Sequence, residues 1–148
     1  RCVYVRRKSR ISMGNKKYLI YTDGGSRGNP GPSAIGAVVG AKEYGEAIGR
    51  TTNNVAEYSA VIFAFKKAKQ LLTKAKAKQT NVELRTDSEL LVKQLNGEYK
   101  IKDKNLQPLF IEVWNLRQDF KSVHFIHVTR DKNKKADSLV NKALNTLL

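Results

Sequence analysis

Residues 18–25 read YLIYTDGG and residues 82–88 read VELRTDS. Each segment is a short run rich in β-branched, aromatic or aliphatic residues that ends on an aspartate, Asp23 in the first and Asp87 in the second. Such runs, closed by turn-forming residues, predict β-strands. A long helical pattern separates the two segments, and a helical crossover joins strands that run parallel. We therefore expect the two strands to lie side by side, with both aspartates at one edge of a sheet.

The remaining pattern completes an α/β fold. A loop rich in Gly and Pro over residues 26–32 leads into two strand-like runs, 34–40 and 43–49, which predict an antiparallel meander with the first strand. Asn53 and Asn54 begin the long helix, and a fifth strand is predicted at residues 123–128. Shorter helices are predicted from Ser88, from near Pro108 and over the last dozen residues. The order predicts a five-stranded mixed sheet, an antiparallel meander plus parallel strands, flanked by helices.

The composition favours a polyanionic partner. The chain of 148 residues carries 28 Lys and Arg against 13 Asp and Glu, a formal net charge of +15. On one small domain this charge indicates nucleic acid before any other partner. A single cysteine, Cys2, excludes an internal disulfide framework and a Cys-based zinc site. The apolar runs are far shorter than the roughly 20 residues that cross a bilayer, and no leader pattern opens the chain. We expect a cytoplasmic monomer with no membrane partner.

Residues 1–16 differ in charge from the rest of the chain, because they contain six basic residues and no acid. Two interpretations stay open for this basic N-terminal extension. It is either a flexible segment upstream of the folded domain or a basic arm that adds contacts to phosphates.

Four acidic residues are the candidates for chemistry. Glu57 is expected in the first turn of the long helix and Asp137 near the start of the last helix, so both could face the sheet end that carries Asp23 and Asp87. Clustered carboxylates repel one another unless cations neutralise them. Mg²⁺ accepts such oxygen ligands, and a pair of metal ions about 3.5–4 Å apart supports phosphodiester cleavage. The alternative is that each acid complements a helix dipole or makes a turn.

Four segments carry a family resemblance. They are TDGGSRGNPGP at 22–32, TTNNVAEY at 51–58, RTDSELLVKQLNGEYKIK at 85–102 and HVTRDKNKKADSL at 127–139. In this order they resemble type 1 ribonucleases H, over Lys17 to about Ala143. The resemblance implies that residues 17–148 form a catalytic domain. It also implies hydrolysis of the RNA strand of an RNA/DNA hybrid with two Mg²⁺ ions, leaving 5′-phosphate and 3′-hydroxyl ends. Mn²⁺ is a possible substitute metal.

The resemblance also implies roles for single residues. Asp23 would bridge both metal ions, Asp87 and Glu57 would complete one side, and Asp137 would serve the second ion. Gly24 and Gly25 make sense where a substrate backbone must approach without a Cβ in the way. The candidate substrate-binding residues are Gly24, Gly25, Asn29, Thr52, Asn53, Asn54, Ser88 and Arg130.

The chain departs from the family pattern in the loop after the last strand. Many members have a histidine there, whereas residues 129–135 contain none. Arg130 could stabilise charge in its place, but a guanidinium is always protonated and cannot act as a base. Elsewhere, Trp114 is predicted to belong to the core, because it stands beside Val113 in an apolar helix.

Two alternatives to the nuclease interpretation stay open. One is a hybrid-binding or duplex-binding module that does not cut, against which the full set of four acids argues. The other is a ribonuclease H domain of a reverse transcriptase-like polyprotein, which would share the chemistry and differ in partners. Activity on double-stranded RNA is a further open possibility.

Overall fold

A computed structural model of the protein describes residues 16–147, so most of the predicted N-terminal extension lies outside the described residues. The five strands are β1 (Tyr18–Ser26), β2 (Gly31–Val39), β3 (Lys42–Thr51), β4 (Asn81–Thr86) and β5 (Ser122–His127). The helices are α1 (Asn53–Leu72), α2 (Lys74–Ala77), α3 (Glu89–Leu95), α4 (Gln107–Arg117) and α5 (Lys134–Asn145), with a 3₁₀ turn at Arg130–Lys132.

The strands form one mixed sheet in the order β3-β2-β1-β4-β5. The first three strands pair antiparallel, and β4 is parallel to both β1 and β5. The predicted fold class is therefore confirmed. The loop after β1 is shorter than predicted, because β1 continues past Asp23 and its last residue, Ser26, still pairs with Ser33 of β2.

Helices cover the two faces of the sheet unequally. The main core lies on the face that α1, α3 and α4 cover, and Ile20, Tyr58 and Phe65 are among its fully buried members. On the other face α5 packs alone, against β1, β2 and β3. Because successive side chains of a strand point to opposite faces, Gly24 faces α1 while Gly25 faces Val140 of α5.

Two strand glycines let α5 lie close to the sheet. A Cβ on Gly36 would stand 2.2 Å from the backbone oxygen of Ala136, and one on Gly45 would stand 2.7 Å from that of Leu139. Gly36 pairs with Asp23 on one side and with Gly45 on the other, so the three residues form a row across the strands. The two glycines of this row let the start of α5 lie beside Asp23.

The prediction that Trp114 belongs to the core is wrong, because its side chain is 52% exposed. Val113 is the fully buried residue of α4, and the next residue of a helix points about 100° away. The guanidinium carbon of Arg117 instead lies 5.5 Å from the centroid of the Trp114 ring. Among residues 16–147, no helix has the length and apolar character needed to span a membrane.

Candidate active site

Asp23 and Asp87 lie where β1 and β4 separate. The last paired residues of these two strands are Tyr21 and Arg85, and each aspartate stands two positions further along its own strand direction. Since the strands are parallel, this equal offset puts the two carboxylates at the same level, as the sequence predicted. Asp23 is nevertheless inside β1, because the residues after it still pair with β2.

Asp23 and Glu57 are both buried, each with 8% of its surface exposed. Burial first, then the neighbouring carboxylates of Asp87 and Asp137, raise the pKa of Asp23 from 3.8 to about 8. Burial and then the charge of Asp23 raise the pKa of Glu57 well above its ordinary value. Without a positive partner, Asp23 therefore favours its protonated form at neutral pH, and the pKa of Glu57 is shifted in the same direction.

A close contact between α1 and β1 fixes Glu57. The backbone N–H of Gly24 donates to Glu57 Oε1 over 2.9 Å, which draws the pKa of Glu57 part of the way down again. A Cβ on Gly24 would stand 2.3 Å from the backbone of Ala56, so only glycine allows this approach. Glu57 lies in the second turn of α1 and not in the first, because the helix begins at Asn53 with Thr52 as its N-cap.

Asp87 is held by two side chains from the segment after β5. Asn133 Nδ2 donates to Asp87 Oδ1 over 3.0 Å. Arg130 Nε lies 3.4 Å from Asp87 Oδ2, and the Arg130 side chain is 91% exposed against 15% for Asp87. The cation is therefore at the mouth of the site and the amide is inside it.

Asp137 occupies the first turn of α5 and is exposed. It lies within hydrogen-bonding reach of Asp23, and that contact is one of the causes of the raised Asp23 pKa. The amino end of a helix stabilises negative charge. Asn141, one turn further, stands 3.4 Å from the Asp137 carboxylate through its Nδ2.

One open cavity of about 340 Å³ is shared by all four carboxylates. The same cavity is lined by five of the predicted substrate-binding residues: Gly24, Gly25, Asn53, Ser88 and Arg130. The other three do not line it. Asn54 lies in a small adjoining cleft with Glu57 and Ser88. Asn29 and Thr52 instead accept hydrogen bonds from backbone N–H groups at the start of α1.

The loop after β1 is fastened to the start of α1 by side chains. Asn29 Oδ1 accepts from the backbone N–H of Asn53 over 2.9 Å, and Asn53 Oδ1 accepts from the N–H of Ser26 over 3.3 Å. Thr52 Oγ1 accepts from the N–H of Val55 over 3.3 Å, as an N-cap does. Asn29, Thr52 and Asn53 therefore have a capping or turn-making role in the fold in addition to any contact with a ligand.

The structure gives a packing reason for the first of the two glycines after Asp23. The α1 backbone requires Gly24, because its Cβ would overlap Ala56, and contact with a substrate stays a prediction. Gly25 has more room, since its Cβ would meet only the Cγ1 of Val140 at 3.3 Å.

Sequence reasoning missed several residues at this site. Ser26, Arg27 and Asn141 line the cavity, and Asn133 is buried behind it. The first two stand in the quoted motif at 22–32 and the last two in or beside the motif at 127–139, so the motifs were the available signal. Nothing in the sequence separates Asn133 from an ordinary turn asparagine.

The donor set fits a hard divalent cation in its chemistry. All four candidate ligands offer carboxylate oxygens, which Mg²⁺ and Mn²⁺ accept. Within residues 16–147, however, no three His, Cys, Asp or Glu side chains are already arranged to hold one ion. The side chains would have to turn toward a cation as it binds, and Asp137, the exposed member, has the most freedom to do so.

The sheet order, the helix that crosses it and the acidic cavity together define an α/β domain of the ribonuclease H-like class. The model of a family described as Reverse transcriptase-like matches residues 22–143. LC11-RNase H1, solved in complex with an RNA/DNA hybrid, superposes with a TM-score of 0.84 at 40% identity, over 88% of this chain and 99% of that one. The chain belongs to the type 1 ribonuclease H family.

Two curated relatives are longer than the matched region. Ribonuclease HI of Halobacterium salinarum is 40% identical over 131 residues, which is 84% of this chain and 63% of the relative. A bifunctional protein of Mycobacterium tuberculosis is 38% identical over 136 residues, 87% of this chain and 36% of the relative. The chain therefore spans less than two thirds of the length of either.

Proposed function

We propose that the protein is an endoribonuclease that hydrolyses the RNA strand of RNA/DNA hybrids with two divalent metal ions, Mg²⁺ with Mn²⁺ as a substitute. The observation that carries the proposal is the meeting of four carboxylates, from four separate segments, in one open cavity of a chain with a net charge of +15. The resemblance of the fold to LC11-RNase H1, whose structure contains an RNA/DNA hybrid, supports the choice of substrate.

In this proposal the four carboxylates divide the metal ligation between them. Asp23 is the carboxylate that interacts with each of the other three, so it would contribute to holding both ions, with Glu57 and Asp87 on one side and Asp137 on the other. Bound Mg²⁺ would supply activation of a water and stabilisation of the leaving oxygen. In the hydrolysis, the water oxygen would bond to the scissile phosphorus and lose a proton while the bond to the 3′ oxygen breaks and that oxygen gains a proton, which would give a 5′-phosphate and a 3′-hydroxyl.

The charge balance of the site explains why binding of a cation and ionisation go together. Asp23, with its pKa near 8, holds a proton at neutral pH when nothing neutralises it, and the raised pKa of Glu57 favours its protonated form in the same direction. A cation favours their ionised forms and releases those protons. Arg130 adds positive charge at the mouth without taking part in proton transfer, since it cannot be deprotonated.

The polar side chains between the end of β1 and the start of α1 are suited to contacts with the sugar-phosphate backbone of a nucleic acid. The NH₂ groups of Asn29 and Asn53 make no hydrogen bond within residues 16–147, and their oxygens hold the turn in place. Amides and carboxylates at short range can test the 2′-hydroxyl that distinguishes RNA from DNA. Contacts of this kind reach sugar and phosphate and not base edges, so we expect no sequence specificity.

The remaining parts of the proposal concern the setting of the enzyme. Residues 17–148 are the catalytic unit, the basic residues before them add phosphate contacts, and the protein works as a cytoplasmic monomer. Double-stranded RNA is an additional substrate to be tested beside the hybrid.

The test is incubation of the purified protein with end-labelled RNA/DNA hybrid, double-stranded RNA and double-stranded DNA, each with Mg²⁺, with Mn²⁺ and with a chelator. The proposal expects internal cuts in the RNA of the hybrid, only with metal, and products whose 3′ ends can be extended by a polymerase. Binding of the hybrid without cleavage in either metal would favour the non-cutting module instead.

A further inference from the structure

Asn133 is a buried polar residue behind the carboxylate cavity. Only 2% of its surface is exposed, and it is the last residue before α5. An amide buried to this degree normally satisfies its hydrogen bonds inside the protein. With 2% of its surface exposed and no place in the lining of the cavity, it has almost no surface with which to contact a nucleic acid.

The hydrogen bonds of Asn133 reach three of the four segments that carry the carboxylates. Its Nδ2 donates to the backbone oxygen of Thr22, the residue before Asp23, over 2.9 Å and to Asp87 Oδ1 over 3.0 Å. Its own backbone oxygen accepts from the N–H of Asp137 over 3.1 Å. One residue thus ties together β1, the end of β4 and the start of α5.

The chemistry of these contacts requires an amide. The two N–H groups of Nδ2 meet two acceptors, a carbonyl and a carboxylate, which only a double donor can serve. The Asn133 Oδ1 has no hydrogen-bond partner within the described part of the chain. The residue is therefore used as a donor, and an aspartate of the same size would place a negative charge against two acceptors.

We propose that Asn133 is a positioning residue that sets the relative places of Asp23, Asp87 and Asp137 for binding of the metal ions. This inference rests on the proposed function. Asn133 fixes the Asp87 carboxylate through Oδ1, so Oδ2, which pairs with the exposed Arg130 side chain, is the oxygen left to bind a cation. Partners of metal ligands typically change metal affinity or activity by about 10–100-fold when they are removed.

The experiment compares wild type with Asn133→Asp and Asn133→Ala in three measurements. These are kcat and KM on a labelled hybrid, the Mg²⁺ concentration for half-maximal rate, and the rise in Tm that Mg²⁺ causes in the protein without nucleic acid. We expect a KM within about 2-fold of wild type, since Asn133 does not reach substrate. We expect either the Mg²⁺ requirement to rise or kcat to fall by about 10–100-fold, and the Mg²⁺-induced rise in Tm to shrink.

Gln94→Ala is the matched control, because Gln94 is also a buried amide, with 6% of its surface exposed and its Oε1 2.8 Å from the hydroxyl of Tyr58. It is expected to lower Tm without changing the Mg²⁺ requirement. If Asn133→Asp fails to fold because its buried charge meets two acceptors, the neutral Asn133→Ala still gives all three readouts.

The possible failures are distinguishable. A wild-type protein that does not cleave the hybrid overturns the proposed function. A wild-type protein that cleaves, together with folded Asn133 variants that keep the wild-type kcat and Mg²⁺ response, overturns only the positioning role. A raised KM at unchanged kcat and Mg²⁺ requirement also overturns it, since that pattern indicates direct contact with substrate.

Discussion

The two sides of the carboxylate cavity are built differently. On the α1 side, Glu57 is buried, receives a hydrogen bond from Gly24 and sits on a helix packed into the main core. On the α5 side, Asp137 is exposed, and its helix packs alone on its face of the sheet. This helix can lie close to the sheet because Gly36 and Gly45 lack side chains. We infer that the α1 side is a fixed wall and that the α5 side is the part that adjusts when a cation binds. The predictions that follow test this difference between the two sides.

The largest effect is expected from the residue between the two sides. Asp23→Asn removes a candidate ligand and one negative charge, so cleavage of the hybrid should fall by about 10³-fold or more, equivalent to about 4 kcal/mol of transition-state stabilisation. Binding of the hybrid should stay the same or tighten, because a charge that repels phosphate is lost. Single-turnover rates and a binding titration measure the two quantities. Asp119→Asn, which lies away from the cavity, is the control, and substantial turnover by Asp23→Asn in Mg²⁺ would contradict the assigned role.

A second prediction compares the two glycines that support the two sides. Gly24→Ala forces a Cβ to within 2.3 Å of the α1 backbone, and Gly36→Ala forces one to within 2.2 Å of the α5 backbone. Because α1 is anchored in the core, Gly24→Ala should lower the free energy of unfolding by about 3 kcal/mol or more.

The α5 side should give a different result. Gly36→Ala should shift α5 at a lower cost in stability, about 1–3 kcal/mol, while moving Asp137 away from Asp23 and lowering kcat. Denaturant unfolding and hybrid cleavage, measured on both variants, separate the outcomes. Equal losses of stability in the two variants would argue that the α5 side is as fixed as the α1 side.

The pH dependence of stability should reveal the crowding of the buried acids. The pKa of Asp23 is raised from 3.8 in an ordinary environment to about 8 in the fold. Between these values the folded protein holds a proton that the unfolded chain has lost, so stability falls as pH rises through this window. In a chelator, Tm should therefore be lower at pH 9 than at pH 6. Mg²⁺ should raise Tm, and most strongly at high pH, since it binds only the folded, ionised site.

The matching variant is Asp23→Asn, whose Tm should depend less on pH and respond less to Mg²⁺ than the wild-type Tm does. Differential scanning calorimetry over this pH range gives both values. A wild-type Tm that rises with pH in the absence of divalent ions would be the wrong sign for a raised Asp23 pKa.

The smallest effect is expected from the basic residues outside the described part of the chain. Deletion of residues 1–12 removes five basic groups, so binding of the hybrid should weaken and its dependence on salt should become shallower. The cleavage rate of the bound complex should not change, since the residues that line the cavity all lie between Asp23 and Leu144. Binding at several salt concentrations, with single-turnover cleavage at saturation, tests both points, and a large loss of the saturated rate would show that the segment belongs to the site.

The sequence predicted the parts of the site that follow from strand order. Asp23 and Asp87 could be placed together because equal positions at the ends of parallel strands meet at one edge of a sheet. The sequence predicts Glu57 in the first turn of α1, whereas the structure places it in the second, because Thr52 is the N-cap and the helix begins at Asn53. The sequence alone does not identify Thr52 as the N-cap.

Other features depend on tertiary packing that no local pattern reveals. Gly36 and Gly45 look like weak points within strands until α5 is seen to lie on them, although a glycine inside a strand does indicate close approach of another backbone. Trp114 and Val113 are equally apolar, and only the orientation of α4 decides that one is buried and the other exposed. Asn133 is of a residue type that is common in turns, and its burial arises because β1, β4 and α5 meet around it.

The most direct test of the central claim is a crystal of the wild-type protein soaked in Mn²⁺, with diffraction recorded at the manganese absorption edge. The account predicts two anomalous peaks about 3.5–4 Å apart, both in contact with Asp23, with Asp137 turned toward one of them and Glu57 unmoved. Manganese bound elsewhere on the protein, with no peak among these carboxylates, would contradict it.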